Sequence, residues 1–244
     1  MHTSAFCAKK LPFREQWARD FANSGAVVMY DALPQQTIAD WRALSLELVI
    51  RFGIDIERRS ADHLLTYRVV TGEVLRQHAP QILAFYSAPE TADWVRQITG
   101  AESIVTSARE RSAININCLE RPGERYRWHF DAIPYTLLLY LTDHSAEDGG
   151  ALEFWRCPPA RVDDAEGSPA REPHPLEVGR EKISITPRAG MMVLMDGTRC
   201  YHSVAPVLRP ISRLSIPMVF PVSREHERPE GLDDYLYQPA LAQS

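Results

Sequence analysis

Phe13, Trp17 and Phe21 recur at every fourth position, the stripe of an amphipathic helix, and Asn23-Ser24-Gly25 ends it. Ala26-Val27-Val28-Met29-Tyr30 follows as a short buried strand. Pro34 suits the first turn of a second helix, because its missing N–H is not needed there. Ile38, Trp41, Leu44 and Leu48 carry that helix at helical spacing as far as Phe52-Gly53. Another helix is predicted over about 89–98, closed by Gly100.

From about Glu102 the texture changes. Short apolar segments alternate with Gly, Pro, Asp and Ser clusters, the pattern of many short strands. The predicted strands cover 102–107, 112–119, 126–130, 135–142, 150–155, 181–186, 190–195, 201–207 and 212–220. Thr136 to Leu141 is almost wholly apolar, as in a strand buried on both faces. Such a series in one domain predicts a sandwich or jelly roll, with the early helices buttressing one outer face. Residues 156–180 interrupt it with Pro158, Pro159, Pro169, Pro173 and Pro175 among acidic residues, which predicts a long loop insertion. The expected organisation is a single domain over 1–244. Residues 1–100 form a mostly helical buttress and 101–222 a β core.

Composition narrows the classes. A net charge of -5 gives no bulk basic field for nucleic acid. No apolar run reaches the length of a membrane span, and Met1 to Lys10 has no apolar signal-like stretch. Cys7, Cys118, Cys157 and Cys200 are scattered, without a Cys-x-x-Cys pair, so the expectation is reduced thiols in a cytoplasmic protein.

The candidate chemistry begins at Arg127-Trp128-His129-Phe130-Asp131. It holds the only His-x-Asp among eight histidines. On an extended strand His129 and Asp131 project to one side, offering a metal one nitrogen and one oxygen. His202, in Tyr201-His202-Ser203-Val204, supplies a third donor. Two histidines and one carboxylate make the facial triad of non-haem Fe(II) oxygenases, which leaves coordination positions open. Taken singly, each motif also fits a solvated turn or a hydrogen-bonded histidine. Arg213, in Ser212-Arg213-Leu214-Ser215, adds a second feature. A turn near Arg209-Pro210 and a returning strand would bring it back toward the metal. A buried guanidinium needs an anion, and a dicarboxylate chelating the metal would present its far carboxylate there. An ion pair with a protein carboxylate is the alternative.

In order and spacing, His129-x-Asp131, His202 and Arg213-x-Ser215 resemble the signature of the Fe(II)/2-oxoglutarate-dependent dioxygenase superfamily. Thr136 to Thr142, Gly149-Gly150-Ala151-Leu152-Glu153-Phe154 and Pro187 to Met195 are similar to its intervening segments, and Gly25 to Val28 with Leu33-Pro34 to its opening. The likeness spans about 24–220. It implies a double-stranded β-helix, the cupin-like jelly roll, mainly β with flanking N-terminal helices. It implies His129, Asp131 and His202 as metal ligands and catalytic centre. It implies Arg213 and Ser215 as partners of 2-oxoglutarate. Tyr140 stands where some members place a hydroxyl on the distal carboxylate, and is otherwise a core tyrosine. Asn117 and Asn115 share a strand face that would border the pocket, or else form a polar outer face.

The implied cofactors are Fe(II), 2-oxoglutarate and O2. The implied reaction is hydroxylation of an unactivated C–H with release of succinate and CO2. The short chain favours a small-molecule substrate such as an amino acid or biosynthetic intermediate, without nucleic-acid or membrane partners. Oxygenation of a protein or nucleic acid, and a non-catalytic cupin-like binding protein, are the alternatives. Halogenating enzymes similar to this superfamily carry Gly or Ala at the carboxylate ligand, so Asp131 implies oxygen chemistry.

Overall fold

The computed structural model describes residues 11–60, 63–156 and 181–227, with Gly231, Asp233 and Tyr237 beyond them. The expected loop insertion, Cys7 and Cys157 lie outside the described residues. Cys118 and Cys200 are buried free thiols.

Helix α1 (Glu15–Ser24) buries Trp17 and Phe21 and stops at Gly25. There φ is 72° and the N–H closes on the Phe21 carbonyl, a left-handed cap that glycine adopts at least cost. Strand β1 (Ala26–Met29) follows. Helix α2 (Gln35–Phe52) starts after Pro34 and turns Ile38, Trp41, Leu48 and Val49 inward. Short helices α3 (Gly72–His78) and α4 (Pro80–Ser87) precede α5 (Pro89–Thr99), which opens on a proline and ends at Gly100 with φ 72°. Trp17 and Trp94 meet edge to face at 6.0 Å and fasten α1 to α5.

Two antiparallel sheets face each other. The smaller holds, in order, β5 (Tyr126–His129), β10 (His202–Val204), β7 (Leu152–Trp155) and β8 (Lys182–Ile185). The larger runs β1, β9 (Met192–Asp196), β6 (Tyr135–Tyr140), β11 (Arg213–Phe220), β4 (Ile116–Leu119), β3 (His63–Val70) and β2 (Ile54–Ser60). This is the double-stranded β-helix with flanking helices. Alternation divides the large sheet into two faces. Leu137, Leu139, Leu214, Ile216, Met218 and Phe220 pack under the helices. Leu138, Tyr140, Val193 and Met195 meet Leu152 and Phe154 of the small sheet. Strand β6 is thus buried on both faces, as its apolar run predicts.

Three expectations change. Residues 102–107 form no strand; only the Val105 N–H reaches the large sheet's margin, at the Pro221 carbonyl. Residues 110–113 form a helical turn, α6 (Glu110–Ala113), ahead of β4. The stretch 54–70, inside the supposed helical buttress, is a hairpin whose β3 extends the large sheet beside β4. Its Ile54-Asp55-Ile56-Glu57 alternation carries the strand period, but the dense charge masks it.

Candidate active site

The chain reaches the site through a bulge. His129 opposes His202 while Tyr126 opposes Val204, so Arg127 and Trp128 together face the single residue Ser203. The extra residue lets Tyr126 and His129 both point between the sheets. Strict alternation would put them on opposite faces. On the outside, Trp128 stacks on Tyr201 at 5.4 Å.

Asp131 lies just beyond the end of β5. Its N–H donates to the Gly197 carbonyl at 2.8 Å. A Cβ built on Gly197 would lie 2.6 Å from Cβ of Asp131 and closer still to Oδ2, so only glycine leaves that carboxylate its place. Thr136 Oγ1 donates to Asp131 Oδ2 at 2.8 Å, leaving Oδ1 toward the histidines. Oδ1 is 3.5 Å from His129 Nε2 and 3.7 Å from His202 Nε2.

Both imidazoles are held from behind. Nδ1 of His129 lies 2.8 Å from the Arg127 carbonyl oxygen, and Nδ1 of His202 lies 2.8 Å from that of Cys200. A carbonyl only accepts, so each Nδ1 carries a proton and each Nε2, once the ring is neutral, offers its lone pair. Three donors, all within 4.8 Å of one another, converge on one point. Such a set, two neutral imidazoles and one carboxylate, fits a divalent iron. Electrostatics agree. Burial pushes the His202 pKa down to about 4, keeping the ring neutral. Burial works against ionised Asp131, but both histidines and Thr136 overcome it and hold the carboxyl well below the usual range. Burial also disfavours charged His129, and there the Asp131 carboxylate wins and raises the pKa.

Arg213 opens β11. It does not return by a hairpin from His202: β10 lies in the small sheet and β11 in the large one, so the chain crosses between them. Arg213 is 2% exposed. Its Nε donates to the Gly150 carbonyl at 2.6 Å, and one Nη donates to the Tyr140 hydroxyl at 3.3 Å. No described carboxylate pairs with it. Gly150 has φ 71°, and a Cβ there would press to 2.8 Å from Arg213 Cδ. The Gly149-Gly150 pair therefore shapes the turn over the arginine.

Ser215 stands in register between Tyr140 and Asn117, buried on the inner face. Asn117 neighbours it on β4 and is half-buried. Asn115 is engaged elsewhere: its amide donates to the Arg111 carbonyl and its oxygen accepts from the Tyr237 hydroxyl. Gly197 and Tyr126 were not singled out from the sequence. Thr136 sits within an apolar strand, where a lone hydroxyl is itself a signal.

The two facing sheets, with donors on β5, on β10 and just past β5, define the class: a double-stranded β-helix with a candidate metal centre between its sheets. Solved structures share this fold. The carbocyclase SnoK from nogalamycin biosynthesis gives a TM-score of 0.66 at 16% identity, over 95% of this chain and 94% of that one. AviO1 from Streptomyces viridochromogenes Tue57 gives 0.61 at 19%, over 88% and 96%. Iron-bound EctD from S. alaskensis gives 0.62 at 14%, over 93% and 85%. No curated protein sequence matches significantly. The Halogenase D family matches residues 12–234, and the chain belongs to that family.

Proposed function

We propose that this chain is an Fe(II)- and 2-oxoglutarate-dependent oxygenase that hydroxylates an unactivated C–H of a small molecule, such as an amino acid or biosynthetic intermediate. The observation that carries the reading is Arg213. A buried guanidinium without a described carboxylate partner, inside the same pair of sheets as a metal-competent triad, calls for an anion. The distal carboxylate of 2-oxoglutarate would meet that need.

Each residue then has a task. His129, Asp131 and His202 hold the iron through Nε2, Oδ1 and Nε2. Arg213 takes the distal carboxylate, whose planar fork it matches. Tyr140 and Ser215 flank it, and Asn117 borders the same face. When bound, iron and 2-oxoglutarate activate O2 and supply the oxidising chemistry, with succinate and CO2 as by-products. The chain's part is to orient the C–H and exclude water.

The family's name raises halogenation as a second reading. A halide needs an iron position of its own, and Asp131 already fills the place that halogenating enzymes leave to Gly or Ala. Hydroxylation is therefore the reading for this chain, in a cytoplasmic setting where its thiols stay reduced. No described helix is long and apolar enough to cross a membrane.

The test is a substrate screen with Fe(II), 2-oxoglutarate and 18O2 in chloride and bromide buffers. It reads succinate release and product mass. The expected product carries one labelled oxygen. A chlorinated or brominated product from the unmodified protein overturns the role given to Asp131.

A further inference from the structure

The two oxygens of the Asp131 carboxylate have different surroundings. Oδ1 is the one nearest the imidazoles, 3.5 Å from His129 Nε2 and 3.7 Å from His202 Nε2. Oδ2 is engaged elsewhere: it accepts from Thr136 Oγ1 at 2.8 Å, and it lies against Gly197, where a Cβ would collide with it. Among the described residues Thr136 is the only hydrogen-bond donor to Oδ2. That donor is itself fixed. Thr136 is buried, and its backbone pairs with Met195 of β9 on one side and Val219 of β11 on the other. Branching at Cβ limits its side chain to few rotamers. The loop from Asp131 to Thr136 is held as well, by the Gly197 N–H donating to the Pro134 carbonyl at 2.7 Å. A hydroxyl in an otherwise apolar strand is thus aimed at one carboxylate oxygen.

We propose that Thr136 is a positioning residue that keeps Asp131 a one-oxygen ligand, so that room beside the metal stays open to a chelating co-substrate. This rests on the reading of the triad as an iron centre that takes 2-oxoglutarate. An ionised carboxylate has two equivalent oxygens, and both are able to bind one metal. The bond from Thr136 occupies Oδ2 and leaves only Oδ1 to be offered. Without the hydroxyl, Oδ2 is enclosed with no donor, and the metal held by Oδ1 becomes its nearest positive partner. Turned toward the metal, it takes the room that a chelator needs. The metal is then held no less tightly, and the chelator is held less. Gly197 therefore fixes where the carboxylate stands, and Thr136 fixes how many of its oxygens are offered.

Calorimetry separates the two steps. Mn(II) is titrated into the metal-free protein, and then 2-oxoglutarate or oxalate into the Mn(II)-loaded protein. Oxalate chelates a metal but has no further carboxylate for Arg213. Thr136→Val keeps the shape and removes the donor. It is expected to leave Mn(II) affinity undiminished and to weaken both chelators roughly tenfold or more, the worth of one hydrogen bond to a charged group. Thr136→Ser keeps the donor and should restore both chelators. Thr136→Ala should show the same split as the valine variant, and replaces it if that variant does not fold. A merely structural role for Thr136 would lower metal and chelator affinity together. That parallel loss, undiminished chelator affinity without the donor, or failure of Thr136→Ser to restore it, overturns the proposal. If the unmodified protein binds oxalate but not 2-oxoglutarate, the co-substrate reading falls, and the oxalate titrations alone decide the role of Thr136.

Discussion

Gly197 and Asp131 are in such close approach that the glycine's missing side chain is what gives the carboxylate its position. The Gly197 carbonyl accepts the Asp131 N–H, and a Cβ on Gly197 would overlap Asp131 from Oδ2 back to its own Cβ. An overlap at Cβ is not relieved by rotating a side chain. The only carboxylate of the triad is thus placed by the turn that follows β9.

Gly197→Ala should therefore displace Asp131 and lower Mn(II) or Fe(II) affinity by about 10–100-fold, the range seen when a ligand's supporting contacts are lost. Adding Asp131→Gly should remove the whole overlap, Cβ included, and restore the melting temperature without restoring metal affinity. Calorimetry and thermal denaturation of the single and double variants check both. Undiminished metal binding in Gly197→Ala would exclude Asp131 as a ligand.

Arg213→Ala should weaken 2-oxoglutarate by about 2–5 kcal/mol, the cost of truncating one partner of a desolvated charge pair. Arg213→Lys should recover only part, because a single ammonium cannot reproduce the fork. Titration of the metal-loaded variants with 2-oxoglutarate measures this. Equal affinity in Arg213→Ala would place the co-substrate elsewhere.

Metal loading should depend on pH through His129. At neutral pH, His202, with its pKa held at about 4, is already neutral, and Asp131 is already ionised. The His129 pKa is raised, so its proton is the one that a metal must displace. Apparent affinity should climb as pH rises through the His129 titration, level off above it, and fall about tenfold per unit below it. Calorimetry in two buffers of different ionisation enthalpy counts the protons released. No proton release on the acid side of that titration would remove His129 from the coordination sphere.

Metal-free stability should carry the signature of His202. Its folded pKa lies below the ordinary value of 6.5, so acid favours the unfolded chain. This contribution is fully present above about pH 6.5 and is lost as pH falls toward 4. Denaturation of His202→Gln across that range should show a shallower decline than the unmodified chain. An equal decline would assign the acid sensitivity to other groups.

The sequence by itself determined the periodicities and the ordered chemistry. Trp17 and Phe21, Ile38 and Trp41, and the apolar β6 each bury a face set by local spacing, and glycine stops such as Gly25 and Gly100 act within one turn. The His-x-Asp and the later histidine were legible as a set because few residue types can ligate a metal, and the fold brings these three within 4.8 Å of one another. Tertiary structure decided the rest. The β2–β3 hairpin takes its place from pairing with β4, which its charged sequence does not advertise. The β5 bulge overrides the period of two because β10 offers only Ser203 opposite two residues. Gly197 gains its importance solely from its approach to Asp131, 66 positions away in the chain. Such contacts join residues far apart in the chain, and no local pattern encodes the distance between them.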